Sequence, residues 1–339
     1  MHKELENLCS FAGISGREEK VRAYIISQID GLAEYKSDAL GNLIVFKKGA
    51  VTPKNKVMLA AHMDEVGLIV TYITDDGYLK FTSVGGIDSR VMLGRMVIVG
   101  ERNTPGVIGV KPTHMLNDDE KANIPDDDSL YIDIGASNRD EASQYVRLGD
   151  VVCFDSDFIY FGEDLVKARA LDDRAGCSTL IEIIKSDLPY DLNFVFTVQE
   201  EVGLRGAKAA SFAVAPDYAI VVETTTAADI SGVPKEKQVC QLGEGAVISF
   251  MDRSTVYSRD LYDLAFALAE KNDIKVQPKT VVSGGNDAGA IHSSRAGVKT
   301  LTVSLPCRYL HSPSCVICEK DIAEVLKIVF ALAEEFANA

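Results

Sequence analysis

No tryptophan occurs among the 339 residues, so the broad indole platforms that sugar-binding clefts usually employ are absent. No apolar run reaches the roughly 18 residues needed to cross a bilayer. Positive charge is also scarce: 35 Lys and Arg against 50 Asp and Glu leave a formal net charge of -15. Nucleic acid and anionic membranes would be repelled, and neither is expected as a partner. The acidic balance is compatible with cation binding without showing it. The opening residues, Met1-His-Lys-Glu-Leu-Glu-Asn7, lack the basic region and apolar core of a signal peptide, so a cytoplasmic location is expected. The seven cysteines are odd in number and scattered, as in reduced cytosolic chains. Cys315-Val-Ile-Cys318 is the one CxxC, and a single pair does not make a structural zinc site. The loop Ser283-Gly-Gly-Asn-Asp-Ala-Gly289 has neither the spacing nor the lysine of a Walker A loop, which argues against a nucleotide site. The acidic stretch from Asn117 to Ser129 lacks EF-hand spacing and reads as a solvated, mobile loop.

What remains is an ordinary globular composition, 47% hydrophobic and 25% charged, in a chain long enough for two domains. Ser15-Gly-Arg-Glu18 fits a capping box ahead of a helix with Val21, Tyr24, Ile25 and Ile29 on its apolar face. Strands are expected at Gly41–Phe46 and Lys56–Ala61. From about Val66 to Tyr160 short alternating runs, Val91-Met-Leu93 among them, are separated by turn signals such as Asp75-Asp-Gly77 and Gly85-Gly86. With no helical period in this region, it reads as a small β-barrel or sandwich inserted into an α/β domain. The α/β domain then comprises 1–65 and 161–339, and the insertion 66–160.

The stretch Thr197-Val-Gln-Glu-Glu-Val-Gly-Leu-Arg-Gly206 organises the rest. An apolar run, Asn193–Val198, ends there in two adjacent carboxylates, Glu200 and Glu201. At the carboxyl end of a buried strand, neighbouring side chains point in different directions into the crevice where ligands usually sit. One glutamate can then bind a metal while the other moves protons. An arbitrary Glu-Glu pair is more often a solvated charge pair; its company reverses the odds. Lys56–Ala61 runs into His62 and Asp64, spaced so that both lie on one face of an extended chain. The imidazole can meet a metal while the carboxylate supports it. Asp172 and Asp173 stand at a helix start, where one aspartate would suffice as a cap. Asp217–Val222 ends in Glu223, with Asp229 six residues on, and Lys299–Leu305 leads to His311. His62, Asp172, Glu201, Glu223 and His311 together suit a pair of divalent ions held through nitrogen and oxygen. Glu200, left over, has the chemistry of a general base.

The segments Ala61-His-Met-Asp-Glu-Val-Gly67, Leu171-Asp-Asp-Arg-Ala-Gly176, Val198-Gln-Glu-Glu-Val-Gly203, Gly284-Gly-Asn-Asp-Ala-Gly289 and Arg308-Tyr-Leu-His-Ser-Pro313 resemble those of the cocatalytic metallo-aminopeptidases, and more narrowly the glutamyl and TET aminopeptidase family. The resemblance runs over essentially the whole chain. It implies a zinc-peptidase-like mixed sheet flanked by helices, with the insertion as a β-barrel that drives assembly into a dodecamer. It implies that Asp172 bridges two divalent ions, zinc or cobalt, next to a cis Asp172–Asp173 peptide. His62 and Glu223 would complete one site, Glu201 and His311 the other. Asp64 would orient His62, and Glu200 would be the general base in hydrolysis of N-terminal residues from short peptides. The family often carries aspartate where Glu223 stands, which makes Asp229 the substitute ligand to consider.

Two other readings stay open from sequence. A β-glucan hydrolase could use paired carboxylates without metal, though it lacks tryptophan and leaves both histidines idle. A non-catalytic metal-binding scaffold accounts for the five ligands but not for Glu200.

Overall fold

As a computed structural model, which describes residues 2–339, the chain forms an eight-stranded mixed sheet flanked by helices and a closed six-stranded barrel. In spatial order the sheet strands are Glu34–Ser37, Leu43–Lys47, Leu192–Thr197, Val57–His62, Tyr218–Thr226, Lys299–Cys307, Ala246–Ile248 and Val276–Pro278. The four in the middle, from Leu192–Thr197 to Lys299–Cys307, are mutually parallel. Three of them are largely apolar because both faces are covered by helices, whereas Lys299–Cys307 alternates Thr300, Thr302 and Ser304 with Leu301, Val303 and Leu305, all of them buried. All six residues of Val57–His62 are buried. Helix Leu171–Lys185 packs across the centre of the sheet, and helix Glu319–Asn338 buries Ile322, Val325, Val329, Leu332 and Phe336 along one stripe against it.

The barrel strands Gly67–Ile73, Leu79–Val84, Tyr131–Asp133, Thr104–Gly109, Met96–Val99 and Val151–Phe154 close in that order, all antiparallel. Its core is separate: Leu68, Val70, Phe81, Val97, Ile108, Ile132 and Val152 point inward at the two-residue period of the strands. Beyond it, Ile159–Phe161 and Leu165–Ala168 form a hairpin that pairs with Cys315–Cys318, so the CxxC is a buried strand of the main body.

Four local expectations are revised. Ser89–Met92 is a turn of helix rather than a strand, because the Asp88 side chain accepts the Arg90 N–H and caps it. The capping box at Ser15 does not form: the Ser15 hydroxyl donates instead to Asp64 (2.6 Å) and Glu18 accepts the Gly16 N–H (2.7 Å). Local helix chemistry loses there to a tertiary partner. The acidic stretch is solvated as expected but carries short helices. Asn117 and Glu120 make a capping box on helix Asp118–Ala122, and Asp127 accepts both the backbone N–H and the hydroxyl of Ser83. Strand Leu43–Lys47 starts two residues late, because Asp38 accepts three successive backbone N–H groups, from Leu40 to Asn42, in a turn through Gly41.

Candidate active site

The parallel strands deliver their carboxyl ends to one edge, and the register aligns them. Thr197 pairs with His62, Val221 with Ala60, and Glu223 with Ser304. Glu223 lies two residues past Val221 as His62 lies two past Ala60, so both side chains point the same way at the same level. Helix Leu171–Lys185 begins at this edge and supplies Asp172; the Asp172–Asp173 peptide is cis, as the resemblance implies. Glu200, Glu201 and His311 follow from the loops after Leu192–Thr197 and Lys299–Cys307.

Asp172 sits between two imidazoles. Its Oδ1 is 3.3 Å from Nε2 of His62, and its Oδ2 is 3.3 Å from Nε2 of His311. Glu223 Oε1 is 3.3 Å from the same His62 nitrogen, and Glu201 Oε2 is 3.3 Å from that of His311. Both rings spend Nδ1 on a main-chain carbonyl, His62 on Asp64 (3.0 Å) and His311 on Gly86 (2.8 Å). A carbonyl only accepts, so each Nδ1 carries the hydrogen and each Nε2 is turned to the carboxylates, the arrangement usual for metal-binding histidines.

Asp64 supports His62 mainly through that carbonyl, since its carboxylate stands 3.6 Å from Nδ1. The carboxylate instead accepts the backbone N–H groups of Glu200 (3.0 Å) and Glu201 (3.2 Å) and the Ser15 hydroxyl. It therefore sets the turn that presents both glutamates. Asp173 is committed to the main chain, accepting from Gly176 N (2.9 Å) and His62 N (3.3 Å). Asp229 is held in a two-pronged pair with Arg308 at 2.7 Å on both oxygens, which leaves Glu223 as the carboxylate that faces His62.

These charges are crowded into low dielectric. Burial, aided by the charge of Asp172, pushes Glu201 up to about 8. Burial likewise raises Glu223 to about 7 despite the opposing charge of His62. Glu200 is raised well above the ordinary range, first by burial and then by the charges of Glu223, Asp287 and Glu201. Against the effect of burial, hydrogen bonds from His311 and His62 hold Asp172 far below it. Burial would lower His311, yet Asp172 and Glu201 lift it to about 10. Protons thus offset a concentration of carboxylates that divalent ions would offset better.

The donor set fits such ions. Neighbouring ligands of a tetrahedral ion bound at about 2.0–2.1 Å stand about 3.3–3.4 Å apart. That is the spacing of all four nitrogen–oxygen pairs around Asp172. Among the described residues, the groups close enough to share an ion are His62 with Asp173 and Glu223, and His62 with Asp172 and Glu201; His311 pairs with Glu201 and Asp172.

A cavity of about 300 Å³ opens from these side chains and from Glu200, and continues past Thr224, Lys279, Gly284 and Ser304. Several of its supports carry no signal in sequence. The Gly86 carbonyl comes from the barrel, and any residue could supply a carbonyl. What Gly85-Gly86 does signal is the approach: Gly85 has φ +87°, and a Cβ there would meet Val66 at 2.8 Å and Glu201 at 3.3 Å. Asp287, inside the Gly284–Gly289 motif, accepts from the Thr197 hydroxyl (2.6 Å) while its other oxygen is buried without a partner.

Comparison with known proteins gives a consistent result. The profile of the M42 glutamyl aminopeptidase family matches residues 41–328. A lysyl aminopeptidase from Pyrococcus furiosus is 34% identical, over 98% of this chain and 96% of its own. The TET1 peptidase of Pyrococcus horikoshii, seen as a dodecamer and able to assemble into a tetrahedron or a large octahedral shell, is 39% identical. It superposes with a TM-score of 0.86 over 98% of both chains. A Thermotoga maritima structure named an endoglucanase is 38% identical, with a TM-score of 0.82 over 98% of this chain and 97% of that one.

Proposed function

The chain belongs to the M42 glutamyl aminopeptidase family, and we propose that it removes N-terminal residues from short peptides at a two-metal centre with Glu200 as general base. The observation that carries this is the position of Asp172, one oxygen toward each of two imidazole–carboxylate pairs. His62, Glu223 and Asp172 would hold one ion, and His311, Glu201 and Asp172 the other. Zinc or cobalt suits these nitrogen and oxygen donors. When bound, two such ions polarise a scissile carbonyl and lower the pKa of water to near neutrality.

The chain's own residues supply the remainder. Glu200 faces the same cavity, carries a raised pKa, and has no part in either ligand group. It can take a proton from the attacking water and return it to the leaving amine. Asp64 fixes the backbone at Glu200 and Glu201, so base and ligand are placed by one carboxylate.

The barrel is proposed as a separate domain, 66–160, through which copies assemble into a dodecamer around an enclosed chamber. The assemblies of the Pyrococcus horikoshii relative support this, as do Tyr72, Met96, Met115 and Leu148, apolar side chains that this part of the chain exposes. A stable monomer in sedimentation would overturn it. Among the described residues no helix is long and apolar enough to cross a membrane, and a cytoplasmic location is proposed with peptides as the partners.

The endoglucanase name on a 38% identical structure favours a second reading, metal-free cleavage of a glycan by two carboxylates. The cavity offers no aromatic ring on which a sugar could stack. Hydrolysis of an aminoacyl-p-nitroanilide panel, before and after chelation and with zinc or cobalt restored, separates the two. Loss on chelation and rescue by metal is the expected result. Chelator-resistant cleavage of a β-glucan without peptidase activity would reverse the assignment.

A further inference from the structure

Among the described residues the Glu200 side chain makes no hydrogen bond or ion pair. Only its backbone is held, the N–H by Asp64 (3.0 Å) and the carbonyl by the N–H groups of Gly203 and Leu204. Glu201 differs, since its carboxylate is turned to His311 at 3.3 Å. The direction of Glu200 is therefore set by the main chain of the turn that carries it.

That turn is strained at Gln199, whose φ of +56° is a left-handed backbone disfavoured for a residue with a Cβ. Strand Leu192–Thr197 has ended there, so the amides beyond it lose their ladder partners. Side chains replace the ladder. Val198 N–H donates to Asn42 (3.0 Å), Gln199 N–H to Glu18 (3.1 Å), and those of Glu200 and Glu201 to Asp64. Of these acceptors, Glu18 holds the strained residue itself. It is 3% exposed, and the same oxygen accepts the Gly16 N–H at 2.7 Å, which ties the loop before helix Glu19–Ile29 to the turn. No cation pairs with it among the described residues. Burial, helped by the charge of Asp64, pushes it up to about 7. A buried carboxylate without a cation is costly to keep. Helix capping does not account for this one, because its side chain makes no cap bond to the helix that follows it.

We infer that Glu18 is a positioning residue for Glu200: by holding the Gln199 N–H it fixes the left-handed turn that aims the base into the cavity. The inference rests on the general-base reading above. Glu18 acts on the base rather than on the neighbouring ligand, because Glu201 has His311 as a second constraint and Glu200 has none.

The test separates charge from reach. Glu18→Gln keeps an acceptor oxygen at the same reach without the charge. Glu18→Asp keeps the charge but is one methylene short, and Glu18→Met fills the space without an acceptor. Each is assayed, metal-loaded, on the aminoacyl-p-nitroanilide that wild type cleaves fastest. Glu18→Asp and Glu18→Met should lose about 10- to 100-fold in kcat, the scale of a small displacement of a reacting group, with KM and metal content unchanged. Glu18→Gln should stay within about fivefold of wild type, because a neutral acceptor keeps the bond at roughly half strength. Added to Glu200→Gln, Glu18→Asp should cost little more, since residues that act as a unit are not additive. If Glu18→Met does not fold, the contrast between Asp and Gln decides. Equal kcat for Glu18→Asp and Glu18→Gln, metal lost in step with activity, or full additivity with Glu200→Gln would overturn the inference and leave the base reading standing. Undiminished kcat in Glu200→Gln would instead remove that reading.

Discussion

The two histidines meet Asp172 through the same atom at the same distance, yet they are supported in different ways. His62 ends a fully buried strand, has a 2% exposed side chain, and is held by a carbonyl two residues away. His311 lies in a loop with φ +56°, has a 33% exposed side chain, and is held by Gly86, 225 residues away in the barrel segment. One half of the site is a property of the parallel sheet. The other exists only where the barrel segment meets the sheet's edge, so the insertion shapes the candidate site.

The largest effect is expected where the halves meet. Asp172→Asn removes the carboxylate common to both groups, and elemental analysis should find both ions depleted and activity gone. Retention of both would contradict the shared role. Glu200→Gln should spare both halves and lose about 10²–10⁴-fold in kcat, the usual contribution of a general base, with metal content unchanged. Loss of metal in that variant would make Glu200 a ligand instead.

Gly85→Ala separates the halves. A Cβ in that left-handed backbone, 2.8 Å from Val66, should move the Gly86 carbonyl. Metal affinity on the His311 side should fall about 10- to 100-fold, as for loss of an outer partner of a ligand. A metal titration should then resolve two unequal steps; equal weakening of both would show that the halves are not independently supported.

The smallest effect is pH dependence. Without ions, Glu223 and Glu201 hold protons up to about 7 and 8. Raised pKa values mean that these protons must leave on metal binding, so affinity should rise with pH through that range. Calorimetry in buffers of different ionisation enthalpy should detect their release at neutral pH, and its absence would refute the crowding argument.

The strands carrying His62, Glu201 and Glu223 were legible because a strand buried on both faces is largely apolar, and a carboxylate or imidazole at its end then stands out. His62-x-Asp64 was legible as a pair, but the division of labour inside it was not. Spacing puts two residues on one face without saying that the carbonyl would serve the ring and the carboxylate the next strand's turn. Glu18 gave only a capping signal, because nothing in its local sequence points to a turn 181 residues away. The choice between Glu223 and Asp229 was likewise open until Arg308 was found to engage the aspartate.

By itself the sequence determined the α/β class and the inserted β region and narrowed the candidate metal-binding side chains, since these follow from local apolar period and residue chemistry. Only the tertiary structure decided which oxygen faces which nitrogen, that a barrel carbonyl aims His311, and that Glu18 holds the Gln199 amide. Those depend on strand register and on contacts between segments more than 100 residues apart, and nothing in the local order of residues encodes a direction across such a distance.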